Sequence, residues 1–273
     1  MNQLADDYLL SLPKEKWCGD DLVYQFHGFW FMLPCLKGAL QFLNNFKPLP
    51  TDVILASFPK TGTTWLKSLL FAITNRTSNT HPHDLFPTLE LQVYSSNPTA
   101  AGNLTSCDGN ARIFSTHVPY QFLSKSAIHS SECRIVYVTR NPKDTLISLW
   151  HYIGKSKMPL MKPWTIEDAV DKFCDGTDDT KNQVKKLAEF LGCPLDNEEE
   201  ADEIVKICDI QTLKQHEVNK SSDLPKWLEL PYNSYFRQGE VGDHKNYFDS
   251  HIIQRIDDMT KDKFHSAGFM FGL

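Results

Sequence analysis

Twice in this chain a short β-branched apolar string runs through a bend into a segment with helical spacing. That recurrence limits the fold more than any other feature. The first instance is DVILASF (52–58), then PKTGTTW, then WLKSLLFAI (65–73), where Trp65, Leu66, Leu69, Leu70 and Ile73 fall on one helical face. The second is RIVYVTR (134–140), which passes through Asn141-Pro142 into a helix expected over about 143–151. Proline at a first helical turn does no harm, because the N–H it lacks has no partner there. A further strand is expected at Arg112–Thr116. Strands and helices that alternate in this way predict an α/β domain with a mainly parallel central sheet flanked by helices. The second half reads as more helical. Thr165 with Asp168 forms a capping box for a helix to about Phe173, and Val184, Leu187, Ala188 and Leu191 share a face that Gly192 ends. Further helices are expected at Glu198–Ile207 and Ser250–Lys263, with a loop-rich stretch at 220–243.

Composition removes several classes of function. Apolar residues make up 41% of the 273, enough for a packed core and too many for a disordered chain. The net charge of −6 argues against a nucleic-acid-wrapping surface, though not against one local basic pocket. Seven cysteines with no CxxC pair read as free thiols in a reducing compartment, with no structural metal. The most apolar stretch, Leu22–Leu43, is broken by Gln25, His27, Pro34, Lys37 and Gln41, so it reads as buried or pocket-lining rather than membrane-spanning. The N-terminal sequence carries no secretion signal, and a soluble cytoplasmic protein is expected.

The bend Ser57-Phe58-Pro59-Lys60-Thr61-Gly62-Thr63-Thr64-Trp65 carries the clearest chemistry. A chain entering a helix leaves backbone N–H groups unpaired at the positive end of the helix dipole, which makes an anion site. Gly62 permits the tight backbone, Thr61, Thr63 and Thr64 add hydroxyls, and Lys60 adds a mobile positive charge. The order is not that of a Walker A loop, since Lys60 precedes Gly62. An ordinary strand–turn–helix with capping threonines is the other reading of the same residues.

Four blocks in order resemble the plant-type cytosolic (soluble) sulfotransferases. They are SFPKTGTTWLKSLLFAI, RIFSTHVPY (112–120), RIVYVTRNPKDTLISLWHY (134–152) and YFRQGEVGDHKNYF (235–248). YQFHGFWF (24–31), HPHDLFPTLE (81–90) and KKLAEFLGCPLDNEEE (185–200) also read like plant members. The resemblance implies one domain over 1–273 with a P-loop-like sulfotransferase fold, residues 1–50 serving the acceptor pocket and 51–273 the donor. It implies transfer of a sulfuryl group from 3′-phosphoadenosine 5′-phosphosulfate (PAPS) to a hydroxyl of a small acceptor such as a phenol, flavonoid, steroid or hormone. No metal, nucleic acid or membrane is implied, and a monomer is expected.

By the same resemblance Lys60, Thr61, Gly62, Thr63 and Thr64 hold the 5′ end of the donor and Trp65 offers a face to adenine. Arg140 and Ser148 take the 3′-phosphate, with Arg237, Gln238 and Gly239 closing over it. His117 is the general base, and Lys60 stabilises charge on the bridging oxygen of the leaving nucleotide. Read as residues alone, His117 could equally be a strand-end histidine before Pro119, Arg140 a surface ion-pair partner, and Ser148 a helix serine bonded to its own turn. His81 and His83 could touch substrate or sit in a solvated turn, and His151 could line a pocket or pack in the core. Tyr24, Phe26, Phe29, Trp30 and Phe31 could wall an acceptor pocket or belong to ordinary packing.

The chain also departs from the family pattern. Beyond Phe173-Cys174 a segment holding a family strand and its nucleotide-binding tyrosine is missing. Asp209-Ile210 stands where an adenine-packing aromatic is usual, His244 where Trp is usual, and Ser115 where animal members carry lysine. Lys245 and the residues after it match the animal dimerisation pattern only weakly. These departures leave a second expectation, a catalytically impaired paralogue or truncated product that binds nucleotide or ligand without turnover.

Overall fold

The computed structural model describes residues 3–18, 21–74, 87–95, 112–123, 131–154, 184, 187–222, 232–235, 237, 239 and 242–263. They divide into two compact units, one built from residues up to 56 and from 87–135, the other from 57–74, 136–154 and 184–263.

The first unit opens with α1 (Gln3–Ser11) and an antiparallel sheet, β1 (Lys14–Cys18), β2 (Asp21–Phe26) and β3 (Phe29–Met32), in that order. His27 and Gly28, at φ 48° and 87°, make the two-residue turn between β2 and β3. Two successive left-handed residues match the natural twist of a hairpin. The sequence reading, which takes these aromatics as an acceptor-pocket wall or as ordinary packing, does not include this sheet. Helix α2 (Leu33–Asn45) follows and buries Leu36, Gly38, Ala39 and Phe42.

The second sheet has the order β5–β4–β6, from β4 (Val53–Ser57), β5 (Ile113–Thr116) and β6 (Arg134–Val138). Strands β4 and β5 are parallel, pairing Val53 with Ile113 through Ala56 with Thr116. Every residue of both is buried, as continuous apolar strands of a two-sided sheet should be. Ile54, Ala56, Phe114, Phe42, Phe46, Leu89, Val93, Val118 and Leu123 form one core cluster. At its edge the fully buried Asp52 accepts from Arg112 Nε (2.7 Å) and Nη2 (2.6 Å) and from the Leu49 amide (2.7 Å).

A π-helical turn at Leu89–Val93 lies against α2. A β-carbon added at Gly38 would stand 1.9 Å from the Glu90 carbonyl oxygen, so only glycine permits this approach. Beyond β5 the short helix α4 (Tyr120–Leu123) carries Phe122.

In the second unit α3 (Thr63–Thr74) buries Leu66, Leu69, Leu70 and Ile73, the expected face. Helix α5 spans Pro142–Gly154. Its N-cap is Asn141, whose side chain accepts from the Asp144 amide (3.1 Å) and whose carbonyl accepts from the Thr145 amide (2.7 Å). The last helix occupies Ser250–Lys263 as expected, and Ile256 with Phe248 packs on Leu146 and Ile147 of α5. Lys143 and Asp257 pair across the same contact. The helix Glu198–Ile207 is capped by Asn197, which accepts from the Glu200 amide (2.9 Å), while the Glu200 carboxylate accepts from the Asp196 amide (2.8 Å). Gly192, at φ 72°, turns the chain after 187–190. The capping box at Thr165 and Asp168, the junction after Phe173, and His81 and His83 lie outside the described residues. Among the described residues no helix is long and apolar enough to cross a membrane.

Candidate active site

The bend after β4 folds as a tight strand-to-helix junction. The Thr61 amide and hydroxyl both donate to the Phe58 carbonyl, at 3.3 and 2.7 Å. The Ser57 and Thr63 hydroxyls share a hydrogen bond of 2.7 Å, which ties the strand end to the helix start. Gly62, at φ 110°, supplies the left-handed turn, and Lys60 adopts φ 70° without being glycine. The Leu66 amide donates to Gly62 O at 2.9 Å, so the amides of Gly62 to Trp65 precede that bond. Thr61 is buried, and Lys60, Gly62, Thr63 and Thr64 are half-buried. The Lys60 ammonium lies 4.0 Å from the ring centroid of Tyr152 and 5.5 Å from that of Tyr235. The Trp65 indole N–H donates to the Cys208 carbonyl at 2.9 Å.

Asp144, Ser148 and Tyr152 recur every four residues on α5, so they form one row along it. At one end of the row the fully buried Asp144 carboxylate collects three N–H groups. Oδ2 accepts from the Gly242 amide (2.7 Å), and Oδ1 accepts from the His244 amide (2.9 Å) and from His244 Nδ1 (2.7 Å). A carboxylate only accepts, so Nδ1 carries the proton in this bond. Burial works to raise the Asp144 pKa, but the His244 imidazole and the two amides outweigh it and hold the carboxyl below its ordinary value.

Arg140 and Arg237 share this end of the row. Burial, the largest cause, lowers the Arg140 pKa; Asp144 opposes that, Arg237 adds to it and Asp243 opposes it. Arg237 pairs with the buried Asp243, while its Nε–H is itself buried and meets no acceptor among the described residues. A buried guanidinium donor without an acceptor fits an anionic partner. Ser148 is half-buried on the same face of α5, and Gln238 lies outside the described residues. A β-carbon added at Gly239 would stand 2.3 Å from Ile210 Cδ1, so Ile210 rests directly on that backbone. Asp209 is the N-cap of the helix Ile210–Gln215, accepting from the Gln211 amide at 2.8 Å, and its carboxylate is exposed. That cap explains an acid at this position. His151 Nε2 lies 3.0 Å from the Tyr247 hydroxyl, which gives this histidine a packing partner on the C-terminal segment.

In the first unit His117 ends β5. Its amide donates to Glu90 Oε1 (2.7 Å), the Thr116 hydroxyl donates to Glu90 Oε2 (2.8 Å), and the Val118 amide donates to the Thr116 hydroxyl (3.1 Å). Glu90 is 3% exposed and was not anticipated as a site residue. Its only sequence signal is its place at the end of HPHDLFPTLE. Ser115, fully buried, shares a 3.0 Å hydrogen bond with the Thr88 hydroxyl.

Beside Val118, an apolar recess is lined by Phe26, Phe31, Leu36, Leu40, Leu43 and Phe122. Phe26 stacks on Phe122 with centroids 5.7 Å apart, and Phe29 and Phe31 meet the same ring edge-on. Of the five aromatics grouped in the sequence, Tyr24 instead joins a core with Leu9 and Leu36, and Trp30 is exposed. Among the described residues no cluster of metal ligands occurs.

Known proteins resemble this chain over nearly its whole length. The Sulfotransferase domain family matches residues 50–178 and 177–268. The two pieces meet within the stretch after Phe173-Cys174 where the sequence comparison places a missing segment. Cytosolic sulfotransferase 6 of Arabidopsis thaliana is 35% identical over 321 aligned positions, covering 99% of this chain and 96% of the relative. Since 321 exceeds the 273 residues present, dozens of the relative's positions face a gap here. Cytosolic sulfotransferase 5 of the same plant is 34% identical, again over 99% of this chain and 97% of the relative. The crystal structure of an Arabidopsis thaliana protein assigned as a steroid sulphotransferase superposes with a TM-score of 0.71 at 29% identity, covering 99% of this chain and 97% of that one. A mouse sulfotransferase, SULT7A1, complexed with PAP shares the fold at TM-score 0.68 and 22% identity, over 88% and 94% of the two chains. With the strand–bend–helix, the two-arginine cluster and these matches taken together, the chain belongs to the sulfotransferase family, in its plant-type cytosolic branch.

Proposed function

We propose that this chain transfers a sulfuryl group from PAPS to a hydroxyl of a small organic acceptor, with His117 as general base. The acceptor oxygen attacks sulfur as the His117 imidazole takes its proton. The bond from sulfur to the bridging phosphate oxygen breaks, and Lys60 stabilises the charge left on that oxygen. Gly62, Thr63 and Thr64, with Thr61 shaping the turn, hold the 5′ end, and Trp65 faces the base. Arg140, Ser148 and Arg237, with Gln238 and Gly239, take the 3′-phosphate. The observation that carries the reading is the Pro59–Trp65 bend, a strand-to-helix junction whose helix-start amides precede the first intrahelical bond and which carries Lys60 in the same short segment. The buried Arg237 Nε–H supports a second anion site in the same unit. The acceptor class, a phenol, flavonoid, steroid or hormone, follows from the family resemblance, and the rings of Phe26, Phe29, Phe31 and Phe122 offer apolar surface beside Val118 for such a molecule. The names of the relatives support a place in the cytosol.

One observation favours a second reading, a nucleotide-binding protein without turnover: the family matches only as two pieces meeting at 177–178. A radiolabelled sulfate assay against pooled phenols, hydroxysteroids and flavonols, with His117→Ala as control, separates the two. Transfer that vanishes in the variant is expected. Transfer that persists removes His117 from the mechanism, and nucleotide binding without transfer by the unmodified chain selects the second reading.

A further inference from the structure

We propose that Tyr152, backed by Tyr235, is a positioning residue that seats the Lys60 ammonium at the bend through its ring face rather than its hydroxyl. This rests on the role given to Lys60 above and adds to it the device that aims the side chain. Three observations converge. The ammonium lies 4.0 Å from one tyrosine centroid and 5.5 Å from the other, both inside the range over which a ring quadrupole attracts a cation. The rings stand 5.9 Å apart at 51°, so they form a corner rather than a stack, with two faces turned toward one charge.

Lys60 also holds φ 70°, a conformation a non-glycine residue keeps only where its surroundings impose it. The seat itself is on a firm element. Tyr152 projects from α5, a helix capped by Asn141 and tied to the last helix through Lys143 and Asp257. Burial pushes the Tyr152 phenol up to about 12, with the Tyr235 hydroxyl acting in the opposite sense, so the ring is neutral at cytosolic pH. The contact is therefore a cation on an aromatic face and not a lysine–phenolate pair.

A lysine side chain is a point charge on a flexible four-carbon stem. Held on two rings, its ammonium is ordered before the reaction, and less entropy is lost when charge develops on the leaving oxygen. The ring does this work, so phenylalanine should replace Tyr152 and an aliphatic residue should not.

The test uses the full-length protein with its lysines reductively ¹³C-methylated, which keeps their charge. The Lys60 signal is assigned by its loss in Lys60→Arg. A ring-current upfield displacement is expected in the unmodified sequence and in Tyr152→Phe, and its collapse in Tyr152→Leu. A smaller change is expected in Tyr235→Leu. Sulfuryl transfer to a phenol from the pooled assay should fall about thirtyfold in kcat for Tyr152→Leu, the scale of a desolvated cation–π contact. Affinity for 3′-phosphoadenosine 5′-phosphate should stay within about twofold, and Tyr152→Phe should recover the rate. Tyr152→Met serves if Tyr152→Leu does not fold. A Lys60 signal unmoved by loss of the ring, or a phenylalanine variant as impaired as the leucine one, overturns the proposal. Absence of transfer by the unmodified protein would count against the function and leave the spectrum to judge the seat.

Discussion

Replacing Asp144 tests how the 242–244 segment is held against α5. Its carboxylate is fully buried and accepts from two main-chain amides and one imidazole N–H of the segment 242–244. Asp144→Ala deletes the common acceptor and strands three donors at once. A buried donor left unmet costs about 1–3 kcal/mol, and losing one member of a buried charged network costs about 3–5 kcal/mol. Because the three donors share one acceptor, about 3–5 kcal/mol is the figure to expect rather than their separate sum. Against a total stability of about 5–15 kcal/mol, a loss of that size is large.

Asp144→Asn keeps one acceptor oxygen but turns an NH₂ toward the donors, so about half the loss is expected. The acid limb gives a second readout. The folded-state pKa lies below the unfolded one, so this stabilisation is complete above the unfolded value of about 4 and drains away as the pH falls through the folded value. Urea unfolding at a series of pH values should show a gap between the native sequence and Asp144→Asn that is widest near neutrality and narrows in acid. A variant within about 1 kcal/mol of the native sequence at pH 7, or a gap indifferent to acid, would refute the reasoning.

Other outcomes follow from the same contacts. Gly38→Ala should cost about 1–3 kcal/mol, read from the urea midpoint, because its new β-carbon meets main chain that cannot rotate away; unchanged stability would mean that α2 and the π-turn can slide apart freely. Glu90→Ala should lower kcat by about 10²-fold through displacement of His117 while leaving nucleotide affinity alone, and Glu90→Gln, which can still meet both partners, should restore most of it. Equal rates for the alanine variant and the native sequence would dismiss Glu90 as a support for that strand end. Asp52→Ala should cost about 3–5 kcal/mol in the same unfolding assay, since it removes both bonds of the Arg112 fork and the Leu49 contact; a loss near zero would mean Arg112 finds a new acceptor.

The parts of this fold that were legible in the sequence are those where local chemistry and tertiary role agree. Val53–Ser57 reads as a two-sided strand because all five residues are apolar or small, and all five are buried. Asn141-Pro142 announces α5 because a cap and a first-turn proline act locally. Ser250–Lys263 was placed to the residue. The β1–β3 sheet was missed although His27-Gly28 marks its turn, because Tyr24–Phe31 is aromatic on both faces and period-two alternation is hidden. Glu90 was missed for another reason. A buried carboxylate that works through the amide of a residue 27 positions away leaves no local pattern at all. His244 and Asp209 stood out as departures, but only their partners explain them: one completes the Asp144 network and the other caps a helix.

A donor charged at both ends needs two anion sites at a fixed separation, and on the proposed reading α5 would meet that need with one rigid rod. Asp144 fixes the 242–244 segment at one end of a side-chain row and Tyr152 meets Lys60 at the other, eight residues or about 12 Å of helix rise apart. Every residue of that row and its partners lies outside the stretch where the chain is shorter than its relatives. On that reading nucleotide binding can be tested apart from turnover. Isothermal titration should find saturable binding of 3′-phosphoadenosine 5′-phosphate, weakened at least tenfold by Arg140→Ala through loss of a charge-assisted fork, whether or not any acceptor is sulfated. Binding that is absent, or indifferent to Arg140, would mean that the shortened stretch supports the nucleotide site after all.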